Sequence, residues 1–520
     1  MPPGFGGKRA LGPFHAGGAG ASDDLSRAGG RHHGAQRGKE TGRALAGGAA
    51  RRDTVRRGCG REGGNSAEGS GAMKLILFLL ILAVPAGAAE LSLTLKSAED
   101  SALAVSNQYR AAKLSAEAAE ASAAAAGALL SPRFALEGSL RYVHVVPEIA
   151  MPAALGGPKP LSDNWNYSVG PSAYWTFFDG GVLSSGRSAA RRTAAARRAE
   201  AEHVRRQTVL KARQAYFQLQ LALERVYLIG ENLQLSLSQL KDITLGAKAG
   251  SRSRLDEIRA RQETLARRRD LVRARADLGA ALREFGFLTG LEPPAGAAFP
   301  IDSRLAGRDL GGAQEAELFI KAEPYAEMSG RLLPAADGSL DKALPSVTAL
   351  ENSARAFSAL AGGHKAERLP RLTLGARSSL DYPNGPNLYS FIQNSASLSL
   401  SLPLFEGGRS SDKRKEHELN AAAASERRGE AALAAEKDFR KALDAYSALL
   451  AEQEINIEAV DDSVEASKLA YEAYKAGGGT WLEVESANLK ALQAKTMAAT
   501  ANAEILIKLA LLDSLTGSVK

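Results

Sequence analysis

Residues 165–181 read WNYSVGPSAYWTFFDGG, and residues 391–408 read FIQNSASLSLSLPLFEGG. In the first stretch Trp165, Tyr167, Val169, Ala173, Trp175 and Phe177 alternate with Asn166, Ser168, Ser172, Tyr174 and Thr176. In the second, Ala396, Leu398, Leu400, Leu402 and Leu404 alternate with Ser395, Ser397, Ser399 and Ser401. Successive side chains of a strand point to opposite faces, so each stretch reads as a strand with one apolar and one polar face. Each ends in Phe178-Asp179-Gly180-Gly181 or Phe405-Glu406-Gly407-Gly408, and Pro-free helical sequence follows. Paired glycines reach backbone angles closed to other residues, and an acid caps a helix start. Asp179, Gly180 and Gly181, and Glu406, Gly407 and Gly408, are therefore the expected strand-to-helix turns.

The two stretches are copies. Phe405 lies 227 positions after Phe178. Lys248-Ala249-Gly250 with Leu255-Asp256 recurs at the same offset as Lys475-Ala476-Gly477 with Leu482-Glu483, and Leu288-Thr289-Gly290 recurs as Leu515-Thr516-Gly517. Pro132-Arg133 matches Pro370-Arg371 at an offset of 238. Fixed spacing over several landmarks indicates an internal duplication. Each copy reads as helix, two strands, long helix, helix.

In the first copy an Ala-rich helix over 97–130 precedes a strand in which Phe134, Leu136, Leu140 and Tyr142 alternate with polar residues. A long helix over 182–247 carries a seam of Ala212, Ala215, Leu219, Ala222, Val226, Ile229, Leu233, Ser236, Leu240, Ile243 and Ala247. Steps of three and four make this a heptad seam, which packs along another helix as a coiled coil. A turn over 246–253 leads to a returning helix over 255–287. The second copy has strand residues Leu372, Leu374, Leu380 and Tyr382, helices over 416–474 and 482–515, and a Gly477-Gly478-Gly479 turn between them. The expected divisions are a first repeat over 90–290, a Pro- and Gly-rich connector with short helices over 291–345, and a second repeat over 346–520.

The formal net charge of the 520 residues is +8. Residues 1–72 hold twelve Lys and Arg against six Asp and Glu, together with the single Cys, Cys59. Their apolar residues follow no period, so this Gly/Arg-rich head is expected to be disordered. Residues 73–89 pair one Lys with a short apolar run and a small-residue end, the pattern of a cleaved signal peptide. The expectation is an over-extended gene start, with translation beginning at Met73 and export of a chain near +1 that holds no Cys. That balance gives no footing for nucleic acid, and the missing thiols exclude Cys-based metal centres. Mature His residues are few, no pair has metal spacing, and no catalytic constellation is present. Neither an enzyme, a cofactor nor a metal is expected. The stretch from Arg252 to Arg283 interleaves Arg with acids and reads as a solvated helix face with i,i+4 pairs.

Four amphipathic strands and two long helical hairpins give no soluble core. The strands suit an outer-membrane barrel, with Trp165, Tyr167, Trp175 and Tyr382 near strand ends as girdle aromatics. Closure takes about eight strands, so several chains must share one barrel; three would give twelve strands.

The duplicated Pro-strand, the Phe-Asp/Glu-Gly-Gly exit, the Ala-Gly turn before Leu-Asp/Glu and the closing Leu-Thr-Gly resemble the TolC-like outer membrane efflux proteins. The resemblance spans nearly all of 90–520. It implies an α+β membrane protein, a homotrimer whose 12-stranded barrel in outer-membrane lipid continues as a 12-helix periplasmic α-barrel of coiled coils. It further implies a passive duct of a tripartite efflux or type I secretion system. The partners implied are a periplasmic adaptor (membrane fusion protein) and an inner-membrane pump of the RND, ABC or MFS type. The two helical turns would form the periplasmic tip, with Gly250, Gly477, Leu255, Leu482 and Trp481 at the docking surface. Asp256 and Glu483 would be the constriction acids, while their position also suits first-turn acids favoured by the helix dipole. The competing reading is a periplasmic coiled-coil adaptor that never enters the membrane, against which each copy brings its own strand pair.

Overall fold

The computed structural model describes residues 90–291, 299–308, 310 and 317–516. The expected disordered head, the signal peptide, Cys59 and Gly517 lie outside the described residues. The elements run β1 (Glu90–Leu93), α1 (Leu95–Val105), α2 (Asn107–Ala128), β2 (Arg133–Tyr142), β3 (Glu148–Ile149), β4 (Lys159–Pro160), β5 (Trp165–Phe178), α3 (Val182–Lys248) and α4 (Arg254–Thr289). They continue with β6 (Phe299–Asp302), β7 (Glu317–Ala322), α5 (Tyr325–Leu332), α6 (Pro345–Ala366), β8 (Arg371–Tyr382), β9 (Phe391–Ser401), α7 (Arg409–Ala476) and α8 (Trp481–Thr516).

The strands from both copies join in one antiparallel sheet of order β2-β5-β8-β9. Its register aligns the alternation of every strand. Leu140 pairs with Tyr167, Tyr167 with Tyr382, Trp175 with Leu374, and Leu374 with Leu398. One face is therefore mostly Phe, Leu, Val, Ala, Trp and Tyr, interrupted by Ser378 and Asn394, and the other mostly Ser, Thr, Arg, Glu and Asp. Among the described residues nothing packs on the apolar face, and Phe134 is 80% exposed. Both edge strands, β2 and β9, lack a partner on one side among the described residues. At Gly170 β5 approaches β8 closely, since a Cβ there would lie 2.0 Å from the Ser378 carbonyl oxygen.

The strand-to-helix turns form as expected. Gly180, Gly181, Gly407 and Gly408 all have positive φ. The Asp179 carboxylate accepts from the Gly181 and Leu183 amides at 2.9 and 2.6 Å. Glu406 instead accepts from the Arg409 guanidinium at 3.0 Å.

Helices α3 and α7, of 67 and 68 residues, are each about 100 Å long at 1.5 Å per residue. The first half of α3 packs on α2 and α6, and its second half on α4 and α8, while α7 packs on α6 and then on α8. Ala212, Ala215, Leu219, Val226, Leu233, Ser236 and Ile243 of the expected seam are buried.

Two expectations fail and a third is incomplete. The helix over 97–130 is two helices, because the Ser106 hydroxyl accepts from the Tyr109 amide at 3.2 Å and starts a new one. The connector has a short helix, α5, as expected, and also carries strands: β7 pairs in parallel with both β1 and β6. Tyr216 of α3 fixes this small sheet, donating to the Leu93 carbonyl at 2.8 Å and accepting from the Glu323 amide at 3.0 Å. Helix α4 is not a wholly solvated charged face. Arg254 and Arg261 do pair with Glu257, but Glu257, Glu263, Arg267 and Arg275 are buried, because α4 packs along α3 over much of its length and touches α8 as well.

Candidate functional site

The turns α3–α4 and α7–α8 lie side by side, and each is dictated locally. Gly250 and Gly477 reverse the chain at φ of 75° and 82°. Ser253 caps α4, its hydroxyl accepting from the Leu255 amide at 3.0 Å. Glu483 accepts from the Thr480 amide at 3.0 Å while the Thr480 hydroxyl faces the Glu483 amide at 3.4 Å. This reciprocal pair is a capping box.

A set of cross-hairpin contacts joins the two turns. The Arg252 guanidinium donates to the carbonyls of Tyr474 and Lys475, both at 2.8 Å, and lies 4.4 Å from the Tyr474 ring centre. The last carbonyls of a helix have no partner in their own helix and carry partial negative charge, so an Arg from the neighbouring hairpin is doubly suited to them. Tyr474 donates to Asp256 at 3.3 Å, and Tyr471 donates to Asp242 at 2.8 Å. Burial, and then the Asp256 charge, push the Tyr474 hydroxyl above its ordinary pKa, so it stays a donor at neutral pH. Beneath these groups Ile243, Ala260, Tyr474, Trp481 and Val484 form a small core of their own.

Thus Asp256 and Glu483 are both at the turns but differently engaged, one bonded across the hairpins and the other within its own helix. Leu255 and Leu482 are exposed, at 53% and 59%. Trp481, expected on the docking surface, is only 1% exposed. Its ring packs edge-on against Tyr474 at 5.5 Å, because the first turn of α8 faces α7 and α3. Arg252, Tyr471, Tyr474 and Asp242 were not legible as a group. The i,i+3 tyrosines at the end of α7 are visible in sequence, but their partners lie some 220 residues away.

At the other end, Tyr142 and Trp165 meet at 5.1 Å, and Tyr167 stacks on Tyr382 at 5.1 Å. Trp175 sits near the helices, its indole donating to the Leu130 carbonyl at 3.1 Å. Ten residues separate Trp165 from Trp175, about 33 Å along a strand, or about 25 Å of height at a 40° tilt. No helix among the described residues is long and apolar enough to cross a membrane. Among them, too, no group of three His, Cys, Asp or Glu is placed to hold a metal.

Residues 99–291 and 341–518 match the family model of outer membrane efflux proteins. The chain belongs to the outer membrane efflux protein family. Its fold recurs in the outer-membrane channel OprN, at 20% identity and a TM-score of 0.62, covering 81% of this chain and 89% of that one. The Campylobacter jejuni CmeC outer membrane channel gives 16% identity and a TM-score of 0.62, over 81% and 85%. The open state of the Neisseria gonorrhoeae MtrE outer membrane channel gives 20% and 0.60, over 81% and 88%. No curated protein sequence matches.

Proposed function

We propose that three copies of this chain form a passive exit duct, a shared 12-stranded barrel in the outer membrane continued by a 12-helix tunnel through the periplasm. An adaptor and an inner-membrane pump of the RND, ABC or MFS type would dock at the turns and supply the energy. The observation that carries this reading is the four-stranded sheet, apolar and uncovered on one face, polar on the other and unpaired at both edges. Such a sheet is a third of a closed barrel and has no stable place in water.

The helices support the same closure. Helix α4 leaves Ile258, Leu265 and Val272 exposed at heptad spacing, and α7 leaves Leu443, Leu450 and Ile457 exposed at heptad spacing. These stripes lie on opposite flanks of the helix order α4-α3-α8-α7, so a neighbouring copy can cover each with the other.

At the tip, the Arg252 clamp and the Tyr474–Asp256 and Tyr471–Asp242 bonds act as a latch holding the second hairpin inward. A three-fold axis turns Asp256 and Glu483 into rings of acid at the constriction. Leu255 and Leu482, on the turns made by Gly250 and Gly477, offer the adaptor an apolar contact.

The test is fractionation followed by planar-bilayer recording. The expected result is a heat-modifiable outer-membrane trimer with small conductance, raised severalfold by Arg252→Ser with Tyr474→Phe. A protein recovered soluble from the periplasm refutes the duct; unchanged conductance in the double variant refutes the latch.

A further inference from the structure

The duplicated Pro-Arg pair has no part in the turns, the girdle or the latch. In each copy the Pro follows the end of a helix, and the Arg is the first residue of a strand: Arg133 opens β2 and Arg371 opens β8. The duplication makes the two positions quasi-equivalent. Both lie where the sheet meets the helices.

Their face is fixed by register. Arg133 pairs with Tyr174, which pairs with Gly375, and Arg371 pairs with Ser401. All these residues belong to the polar face, and Phe134 and Leu372, the next along, belong to the apolar one.

The charge on that face is unbalanced. The four strands carry Arg133, Arg141, Arg371 and Arg377 against Glu137 and Asp381. The acids are engaged elsewhere. Glu137 lies 3.8 Å from Arg377, and Asp381 accepts from the Ser168 hydroxyl. Near the junction, Asp179 caps α3 and Glu406 pairs with Arg409. Arg133 and Arg371 are exposed and make no ion pair among the described residues.

We propose that Arg133 and Arg371 of three chains form a ring of six guanidinium groups at the barrel–tunnel junction. The ring binds multivalent anions and favours cargo bearing carboxylate, phosphate or sulfonate groups. The proposal rests on the trimeric duct reading, which turns the polar face inward. The physical argument is the permanence of the charge. A guanidinium does not deprotonate in proteins, so Arg side chains facing one lumen keep their charge and cannot relieve repulsion by losing protons. They recruit counter-anions instead, and the planar fork suits oxyanions. Rings of Arg or Lys are how anion and phosphate pores select their ions.

The experiment is block of single-channel current by tripolyphosphate added on the side of the strand loops, where it reaches the junction before the acidic tip. The wild-type channel should be blocked, and Arg133→Ser with Arg371→Ser should raise the half-blocking concentration about ten-fold or more. Arg133→Lys with Arg371→Lys should keep the block. A conducting wild-type channel that tripolyphosphate does not block, or equal block of wild type and the Ser variant, overturns the ring. A wild-type protein that never conducts overturns the duct itself, and the ring falls with it.

Discussion

At the scale of single residues, Trp481 shows how a correct location can carry the wrong role. A Trp at a helix–helix turn read as a docking residue, yet its ring fills the core beneath the latch. Trp481→Ala should cost about 3–5 kcal/mol, read as loss of hydrogen-exchange protection at the turns. Leu482→Ala should leave that protection intact and weaken adaptor binding alone. Gly170→Ala puts a methyl group against the Ser378 carbonyl, so it should abolish the heat-modifiable form on gels.

Glu263 is buried between the hairpins, facing Arg267 of its own helix, Glu485 and Asn488 of α8, with Ser236 of α3 buried in the same layer. Burial raises its carboxyl above the ordinary range; Glu485 adds to the shift, while Arg267 and Asn488 oppose it. Its protonated form is thus the one the packed state prefers. That stabilisation is complete below the ordinary carboxyl pKa of about 4.3 and is lost as pH rises through the higher folded value. Glu263→Gln should therefore raise the thermal midpoint at pH 7, with the gain vanishing toward pH 4. An equal gain at both values would place the effect elsewhere. Arg267 keeps Asp270, at 3.2 Å, in that variant.

At the scale of elements, the four main strands, the two long helices and the turns between them were legible because each has a strong period or a glycine pair. The seam of α3 was legible at seven of its eleven named positions, with Ala222, Ile229, Leu240 and Ala247 half-buried. Ser106 was not, since a Ser within an Ala-rich run is compatible with an unbroken helix until its hydroxyl takes the Tyr109 amide. Strands β1, β6 and β7 were missed because each is short and none alternates over enough residues. Strand β1 is held by pairing with β7 across some 230 residues and by Tyr216, and β6 by its pairing with β7. The charged face of α4 misled for a related reason: interleaved Arg and acid look solvated unless the neighbouring helices are known. The latch spans two elements that share no local signal. Breaking its Tyr471–Asp242 bond with Tyr471→Phe should give a smaller rise in conductance than the Arg252 and Tyr474 double variant. A larger rise would shift the main constraint from the turn to α3.

At the scale of the whole molecule, the stripes on α4 and α7 make assembly testable without the membrane. Val272→Asp should prevent trimer formation on native gels while leaving helical content unchanged. Leu450→Asp should do the same from the opposite flank. Intact trimers in both variants would deny these stripes a place at the interface. Neither stripe announces in sequence which copy it meets, because chain number is not written in the period of a helix.

The two open edges of the sheet have a genetic consequence. A chain whose β2 or β9 cannot pair spoils every duct that it joins, since a closed barrel tolerates no gap. If such a chain is made in equal amount with the normal one, about one duct in eight of the proposed trimer is built of sound chains alone. Loss of export would then be dominant, and its depth would report how many chains share the barrel.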